Sequence, residues 1–462
     1  MRQLNSLDTA FLATETDEVH SHTGGVVLLD ASETPDFGYE RLLDFLRERI
    51  PSVAKFQWKL QEVPLGLDRP YWVEDPSFDV RNHLRHIALP AGSGLRELTE
   101  LCAQLFAVAI PRDRPLWEMW LIEGLGKGRC AILFKMHHCM MDGQALNIVG
   151  QVLCDLEPGT GDAARTPKAP ESPVEPEKPG EAPGLLGLTF RAANHLAWTP
   201  YNFARKALEV FSPSSLPSSL GGAAPVPKVV FNGRIGPRRG FSCTKVSLGD
   251  VKRVRKHFGA TVNDVVLAIT SSAMRRYLEK VAELPEDSMV IMVPVSTRAD
   301  SNTDANNQAS VVNVPWFTDI ADPAKRLMAI HRHMDEEKDA FDDLAANPLE
   351  LFGELPPGVT GLLARNVLGP LLARGTGLPA NNAVSNVRGS PLPLYTAGAR
   401  IEAMYPMSLI SPGLGLNITA VSYMDDIDFG FTTAPEAVPD PWLLAEGVGL
   451  GLAELVDLLP GD

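Results

Sequence analysis

Residues 158–184 read PGTGDAARTPKAPESPVEPEKPGEAPG, a run of Pro, Gly, Glu and Ala in which Val174 is the one large aliphatic side chain. So little apolar surface cannot offset the entropy of ordering a chain, and the stretch is expected to be a mobile linker outside any core. It divides 462 residues into two parts, a length that already exceeds what one ordinary core organises. Each part mixes short extended runs with longer helical ones. The expected class is α/β (α+β), with two domains facing each other across a cleft.

Apolar spacing sets the finer pattern. GGVVLLD (24–30) reads as a buried strand and FGYERLLDFLRERI (37–50) as a helix. GLRELTELCAQLFAVAI (94–110) is strongly helical up to Pro111. Two strands, PLWEMWLIEGL and CAILFKMH, then lead through HHCMMDG into a helix over QALNIVGQVLCDLE (144–157). Residues 185–211 are apolar and basic, with a break expected at Pro200. Strands and helices alternate again from Phe241, and a long helix over 261–280 has Thr261 or Asn263 as its cap. The expected boundaries are 1–157 for the first domain, 158–240 for linker and crossover, and 241–462 for the second.

Charge and cysteine usage narrow the partners. A net charge of −15 repels phosphate backbones, so no nucleic-acid partner is expected. Five cysteines, an odd number without CxxC spacing, fit reduced cytoplasmic thiols better than a disulfide framework or zinc ribbon. The N-terminus lacks a secretory apolar core, and no apolar run approaches the roughly 18–20 residues that span a bilayer. Residues 185–211 combine Leu and Phe with Trp198, Arg191, Arg205 and Lys206. That composition suits a helix lying on an anionic lipid surface, and equally a crossover helix packed against both domains.

The sharpest chemical feature is His137-His138-Cys139-Met140-Met141-Asp142-Gly143, at a strand-to-helix junction. Ten histidines in 462 positions give only about 0.2 adjacent pairs by chance, before Asp and Gly are required at fixed offsets. Imidazole at a rigid strand end is well suited to taking and returning a proton near neutral pH. The alternatives are a packed, hydrogen-bonded histidine pair and a metal site. Adjacent histidines on a strand face apart, as do His83 and His86, while His331 and His333 do not share a helix face, so no metal is expected. No GxSxG elbow supports a serine hydrolase.

HHxxxDG with PLW ahead of it (Pro115, Leu116, Trp117) resembles the bacterial wax ester synthase/diacylglycerol acyltransferase family. The likeness continues in order through LNSLDTAFL (4–12), His22-Thr23-Gly24-Gly25, FDVRNHLRHIALPAGSG (78–94), NDVVLA (263–268), PVSTR (294–298) and NQASVVNVP (307–315). SNVRGS (385–390) departs from it, with Arg388 where the family usually has proline.

The resemblance implies two chloramphenicol-acetyltransferase-like domains and acyl-CoA as co-substrate, with no permanently bound cofactor. It implies long-chain acyl transfer to diacylglycerol, giving triacylglycerol, or to a fatty alcohol, giving wax ester, in the cytoplasm or at the inner membrane or lipid inclusions. His138 becomes the general base and His137 its lesser neighbour. Asp142 becomes a structural residue paired with an arginine, where triad logic would have it orient the imidazole. Gly143, Asp264 and PLW become structural. Asn263 is either an oxyanion or substrate donor or a helix cap, and Arg298 is a candidate for a CoA phosphate. Two alternatives stand beside this reading: an HxxxD acyltransferase using an amine or small alcohol, and a non-catalytic lipid-binding protein on the same fold.

Overall fold

The computed structural model describes residues 2–140, 150, 153–159, 184–210, 226–296, 309–336, 348–375 and 377–460. The first half runs β1 (Arg2–Gln3), α1 (Ser6–Ala13), β2 (His22–Asp30), α2 (Tyr39–Arg49), β3 (Trp58–Gln61), β4 (Tyr71–Glu74), β5 (Leu84–Ser93), α3 (Leu95–Ala107), β6 (Trp117–Leu125) and β7 (Arg129–His137). A long helix, α4 (Leu185–Val210), follows. The second half begins with β8 (Gly240–Ser247), α5 (Leu248–Phe258), α6 (Val262–Val281), β9 (Val290–Ser296), β10 (Ala309–Pro315) and α7 (Pro323–Glu336). Three short helices come next, α8 (Pro348–Gly353), α9 (Pro357–Leu363) and α10 (Gly369–Ala373), the last two joined by a π-helical turn, Ala364–Leu368. The chain closes with β11 (Asn382–Arg388), β12 (Tyr395–Thr396), β13 (Ala399–Met407), β14 (Leu416–Tyr423), β15 (Asp426–Thr433) and α11 (Trp442–Val456).

Two six-stranded sheets result, ordered β12-β13-β2-β7-β6-β5 and β10-β9-β11-β14-β15-β8. The first takes two strands from the second half of the chain. β13 pairs antiparallel with β2 from Arg400 opposite Asp30 to Met407 opposite Gly24. β2 in turn pairs with β7, from Asp30 opposite Arg129 to His22 opposite His137. The end of β7 is thereby held in the interior of a sheet, not at its edge.

Each sheet has its own apolar core. In the second half α6 is buried from Asp264 to Met274 and packs with Trp316, Phe429 and Phe431. A separate cluster joins the halves, with Leu98, Cys102 and Phe106 of α3 against Phe241, Cys243 and Tyr405. Across this interface a Cβ on Gly430 of β15 would lie 1.7 Å from the Pro406 carbonyl oxygen of β13, so only glycine permits the approach. Beside it the buried Asp428 accepts the Met404 N–H at 2.7 Å.

Sequence expectations and structure differ at Pro200. The helix continues through it, and the Thr199 hydroxyl donates to the His195 carbonyl in that turn at 3.1 Å. The face of this helix carrying Leu188 and Ala192 packs on Val63 and Tyr71, while Phe190, Trp198 and Tyr201 are exposed. α1 and the short helices α8 to α10 have no counterpart in the sequence reading, being too brief for periodicity to reveal. Most of the expected helix over 144–157 and of the linker lies outside the described residues. Among the described residues no helix is long and apolar enough to cross a membrane.

Two measurements check the interface. Gly430→Ala forces the sheets apart and should cost at least the upper end of the roughly 1–3 kcal/mol typical of overpacking, read by denaturant unfolding. Burial pushes the Asp428 carboxyl up from 3.8 to about 7. A group raised in the folded state holds its proton longer there than in the unfolded chain, so stability falls as pH rises from 3.8 towards 7. Asp428→Asn should therefore gain on the wild type at pH 8 relative to pH 5; a constant difference in melting temperature would contradict the assignment.

Candidate active site

His137 ends β7 and is almost fully buried, and its polar atoms are committed to the protein. Its backbone N–H donates to the Leu116 carbonyl at 2.9 Å. Its Nδ1 accepts the Cys139 N–H at 3.1 Å, so the ring proton resides on Nε2, 3.1 Å from Glu15 Oε1. That last contact is at ion-pair distance but falls outside hydrogen-bond geometry. The Met140 N–H closes the turn on the His137 carbonyl at 3.0 Å. His137 therefore shapes the turn.

His138 lies half-buried one residue beyond the strand. Its N–H donates to the Ser21 carbonyl at 2.7 Å, and its imidazole stacks on Phe11 with ring centres 4.3 Å apart and planes inclined by 25°. The Phe11 face sets the plane of the ring. Phe11 and the 15–22 loop are the parts that residue chemistry alone did not assign. Their signal was the motif-bearing N-terminal stretch, which carried no role of its own.

Glu15 joins this loop to the rest. Its Oε1 accepts the Ser21 N–H at 2.8 Å, and its Oε2 lies 2.7 Å from Arg112, which also holds Glu62. Burial pushes the Glu15 carboxyl up, but His137 and Arg112 together outweigh it and hold the group well below the usual carboxylate range. Beneath, the buried Lys135 donates to the Leu105 and Val108 carbonyls at 3.1 and 2.8 Å and pairs with Glu118 at 3.0 Å. His22 donates from Nδ1 to the Phe106 carbonyl at 3.1 Å. Two side chains thus take up carbonyls at the C-terminus of α3, where positive charge is favoured. Burial, then the nearby Lys135, keeps His22 neutral, well below its ordinary pKa.

PLW stands behind the motif. Trp117 donates from Nε1 to the Phe56 carbonyl at 2.9 Å and stacks on His83, whose Nδ1 donates to the Trp117 carbonyl at 2.8 Å. Pro115, Leu116 and Trp117 are all buried, which fits a packing wall. Gly24 completes the approach of strands, since a Cβ there would lie 2.0 Å from the Phe134 carbonyl oxygen.

In the second half Thr261 caps α6 and Asn263 does not. Asp264 is buried, accepts the Thr261 N–H at 2.8 Å and holds His331 Nδ1 at 2.8 Å, a locking arrangement for the helix start. Asn263 Oδ1 accepts from Asn386 Nδ2 at 3.3 Å, bringing NDVVLA and SNVRGS together. Asp142, Gly143 and Arg298 lie outside the described residues. The five cysteines are buried, and burial raises the Cys139 thiol well above its ordinary value, which disfavours it as a nucleophile.

One grouping departs from the expectation that no three metal-ligand types converge. Glu15, His20 and His22 bring such atoms within 4.8 Å of one another. Glu15 already serves Arg112 and Ser21, and His22 serves the Phe106 carbonyl, so two of the three are engaged within the protein, with Lys135 adding positive charge nearby.

Residues 4–266 match the family model described as the wax ester synthase/diacylglycerol acyltransferase catalytic domain, and residues 305–456 match the WS/DGAT C-terminal domain. The chain is 34% identical to a putative diacylglycerol O-acyltransferase of Mycobacterium tuberculosis, over 99% of this chain and 90% of that protein. It is 31% identical to a putative diacylglycerol O-acyltransferase of Mycobacterium bovis, over 94% of each. Among solved structures it is similar to a wax ester synthase/diacylglycerol acyltransferase from Marinobacter aquaeolei VT8, with TM-score 0.69, 29% identity and 98% coverage of both chains. The first condensation domain of the CDA synthetase shares the two-domain fold, with TM-score 0.56 at 18% identity and 99% and 97% coverage.

The pull on Glu15 has a measurable consequence. A carboxyl held low in the folded state stabilises above its unfolded value of 4.5, and the contribution fades as pH falls below it. Glu15→Gln should lower unfolding free energy by roughly 2 kcal/mol at pH 7. The gap should narrow as the solution is acidified below 4.5. A gap independent of pH would show that the Arg112–Glu15–His137 contacts do not carry the charge.

Proposed function

This chain belongs to the wax ester synthase/diacylglycerol acyltransferase family, and we propose that it transfers a long-chain acyl group from acyl-CoA to diacylglycerol or a fatty alcohol, with His138 as general base. The observation that carries the reading is the imidazole clamped on Phe11 at the end of a central strand, while His137 gives Nδ1 to the turn and sets Nε2 against Glu15. A base held this way meets the geometric demand of proton transfer without reorganising.

The acceptor hydroxyl loses its proton to His138 as its oxygen attacks the thioester carbon. The tetrahedral oxyanion forms, the C–S bond breaks, and CoA leaves as thiolate, which recovers the proton from the imidazolium. No acyl-enzyme forms, consistent with the buried, high-pKa Cys139. Asn263 is the proposed donor to the oxyanion or substrate carbonyl: with Oδ1 turned to Asn386, its amide N–H groups are available to another acceptor. Asp264, Pro115, Leu116 and Trp117 act structurally, as do Asp142 and Gly143; Arg298 takes a CoA phosphate. Residues 1–157 and 241–462 form the two acyltransferase units, bridged by 158–240, with β12 and β13 of the second lent to the sheet of the first. The enzyme works in the cytoplasm at the inner membrane or lipid inclusions, with the exposed aromatic face of α4 towards lipid.

Thiol release from palmitoyl-CoA with hexadecanol or dipalmitoylglycerol, with lipid products resolved by chromatography, tests this. His138→Ala should reduce acceptor-dependent release by at least about a hundredfold. Equal rates in folded variant and wild type would remove His138 from the chemistry. Release with a polar amine alone would move the chain to another acceptor.

A further inference from the structure

The segment from α9 to α10 turns the usual helix pattern outward. Val359, Leu362, Val367 and Leu371 are 42–59% exposed, while Thr360 and Gly361 are buried. The π-helical turn at Ala364–Leu368 lies between them, and such turns are frequent at functional sites. Beside α9, Leu65 is 88% exposed although its φ of 58° is a conformation that branched, bulky residues rarely adopt. The turn is held there by contact: a Cβ on Gly358 of α9 would lie 2.8 Å from the Leu65 carbonyl oxygen. On its other side Val63 packs under α4, which exposes Phe190, Trp198 and Tyr201. Apolar side chains on three abutting elements thus face solvent around one turn.

Charge identifies what covers them. The chain has 57 acidic residues, yet none falls between Glu354 and Glu402, the interval that contains α9 and α10. The same region exposes Arg365 and Arg374, and Lys228 donates to the Arg374 carbonyl at 2.9 Å. The α9–α10 part of the stripe, basic and without a carboxylate of its own, complements an anionic bilayer and not the acidic surface of a second copy of this chain.

The stripe is one helix away from the imidazole. α1 rests on α8 and α9: a Cβ on Gly353 would lie 1.8 Å from the Ser6 carbonyl oxygen, and one on Gly361 would lie 3.0 Å from that of Ala13. Ser6 also donates to Glu354 at 2.6 Å. The same helix presents Phe11 to His138. We propose that the α9–α10 stripe and the Leu65 turn seat the protein on an anionic phospholipid bilayer, so that the lipid acceptor enters past α1. The entry route rests on the acyl-transfer reading; the seating does not.

Flotation with phosphatidylcholine vesicles, with or without about one third phosphatidylglycerol, separates the two. Wild type should float with the anionic vesicles. Leu362→Ser/Val367→Ser/Leu371→Ser, and separately the milder Leu65→Ser, should lower the bound fraction, the triple variant by at least about fivefold. Arg365→Glu/Arg374→Glu should lose binding on anionic vesicles and change little on neutral ones. With dipalmitoylglycerol in vesicles the triple variant should lose thiol release in step with binding, while release with soluble hexanol stays near wild type and certifies the fold. Equal flotation of the wild type and both apolar variants overturns the seating, as does a wild type that floats with neither vesicle. A wild-type dimer dissociated by the triple variant would give the face to a second copy instead. Normal flotation without acceptor-dependent release would leave the seating intact and remove the entry route together with the acyl-transfer reading.

Discussion

The structure depends on β13. This strand leaves the second half of the chain and pairs with β2 from Gly24 to Asp30, and β2 carries β7 and its terminal histidine. Its other face meets β15, where Gly430 lets the Pro406 carbonyl approach and Asp428 takes the Met404 N–H. One strand therefore belongs to one sheet by hydrogen bonding and to the other by packing. The domains cannot separate without breaking a central ladder, which keeps the motif at the end of β7 in a fixed relation to the second half.

The second constraint is electrostatic. The end of β7 is a crowded place for polar groups, and the chain resolves it by giving each a partner of opposite kind. Lys135 and His22 satisfy the carbonyls at the end of α3, Glu118 balances the lysine, and Glu15 balances Arg112 next to His137. Because these groups serve one another, the motif turn is held by several charge-assisted contacts, and His138 is left as the half-buried imidazole of the pair.

Much of this was legible in the sequence. The two-domain α/β class followed from the compositional break and the mixed periodicity on either side, and the strand-end location of His137 from the apolar run before it. Thr261 was legible only as one of two cap candidates beside Asn263; the structure chooses it, with Asp264 three residues on completing the capping box. The exchange of β13 was not, because ARIEAMYPM reads as an alternating strand whichever sheet receives it. Nor was the partnership of Phe11 with His138, which lie 127 residues apart in sequence. Pro200 did not end the helix, and the neighbouring Thr199 hydroxyl bonds the His195 carbonyl within it. The outward stripe of α9 and α10 has a helical period, but a period alone does not say which face is buried.

α1 ties these levels together. Its eight residues are capped by Asn5, its Phe11 lies on the proposed base, and its backbone rests on glycines of α8 and α9 that leave no room for a side chain. Close packing of that kind transmits displacement instead of absorbing it. The proposed lipid-facing stripe and the ring that orients His138 are thereby joined through one helix. The proposed base stands on the rigid sheet and the lipid-facing stripe on short helices at the periphery. That division suits a reaction whose acceptor is dissolved in lipid and whose donor is not.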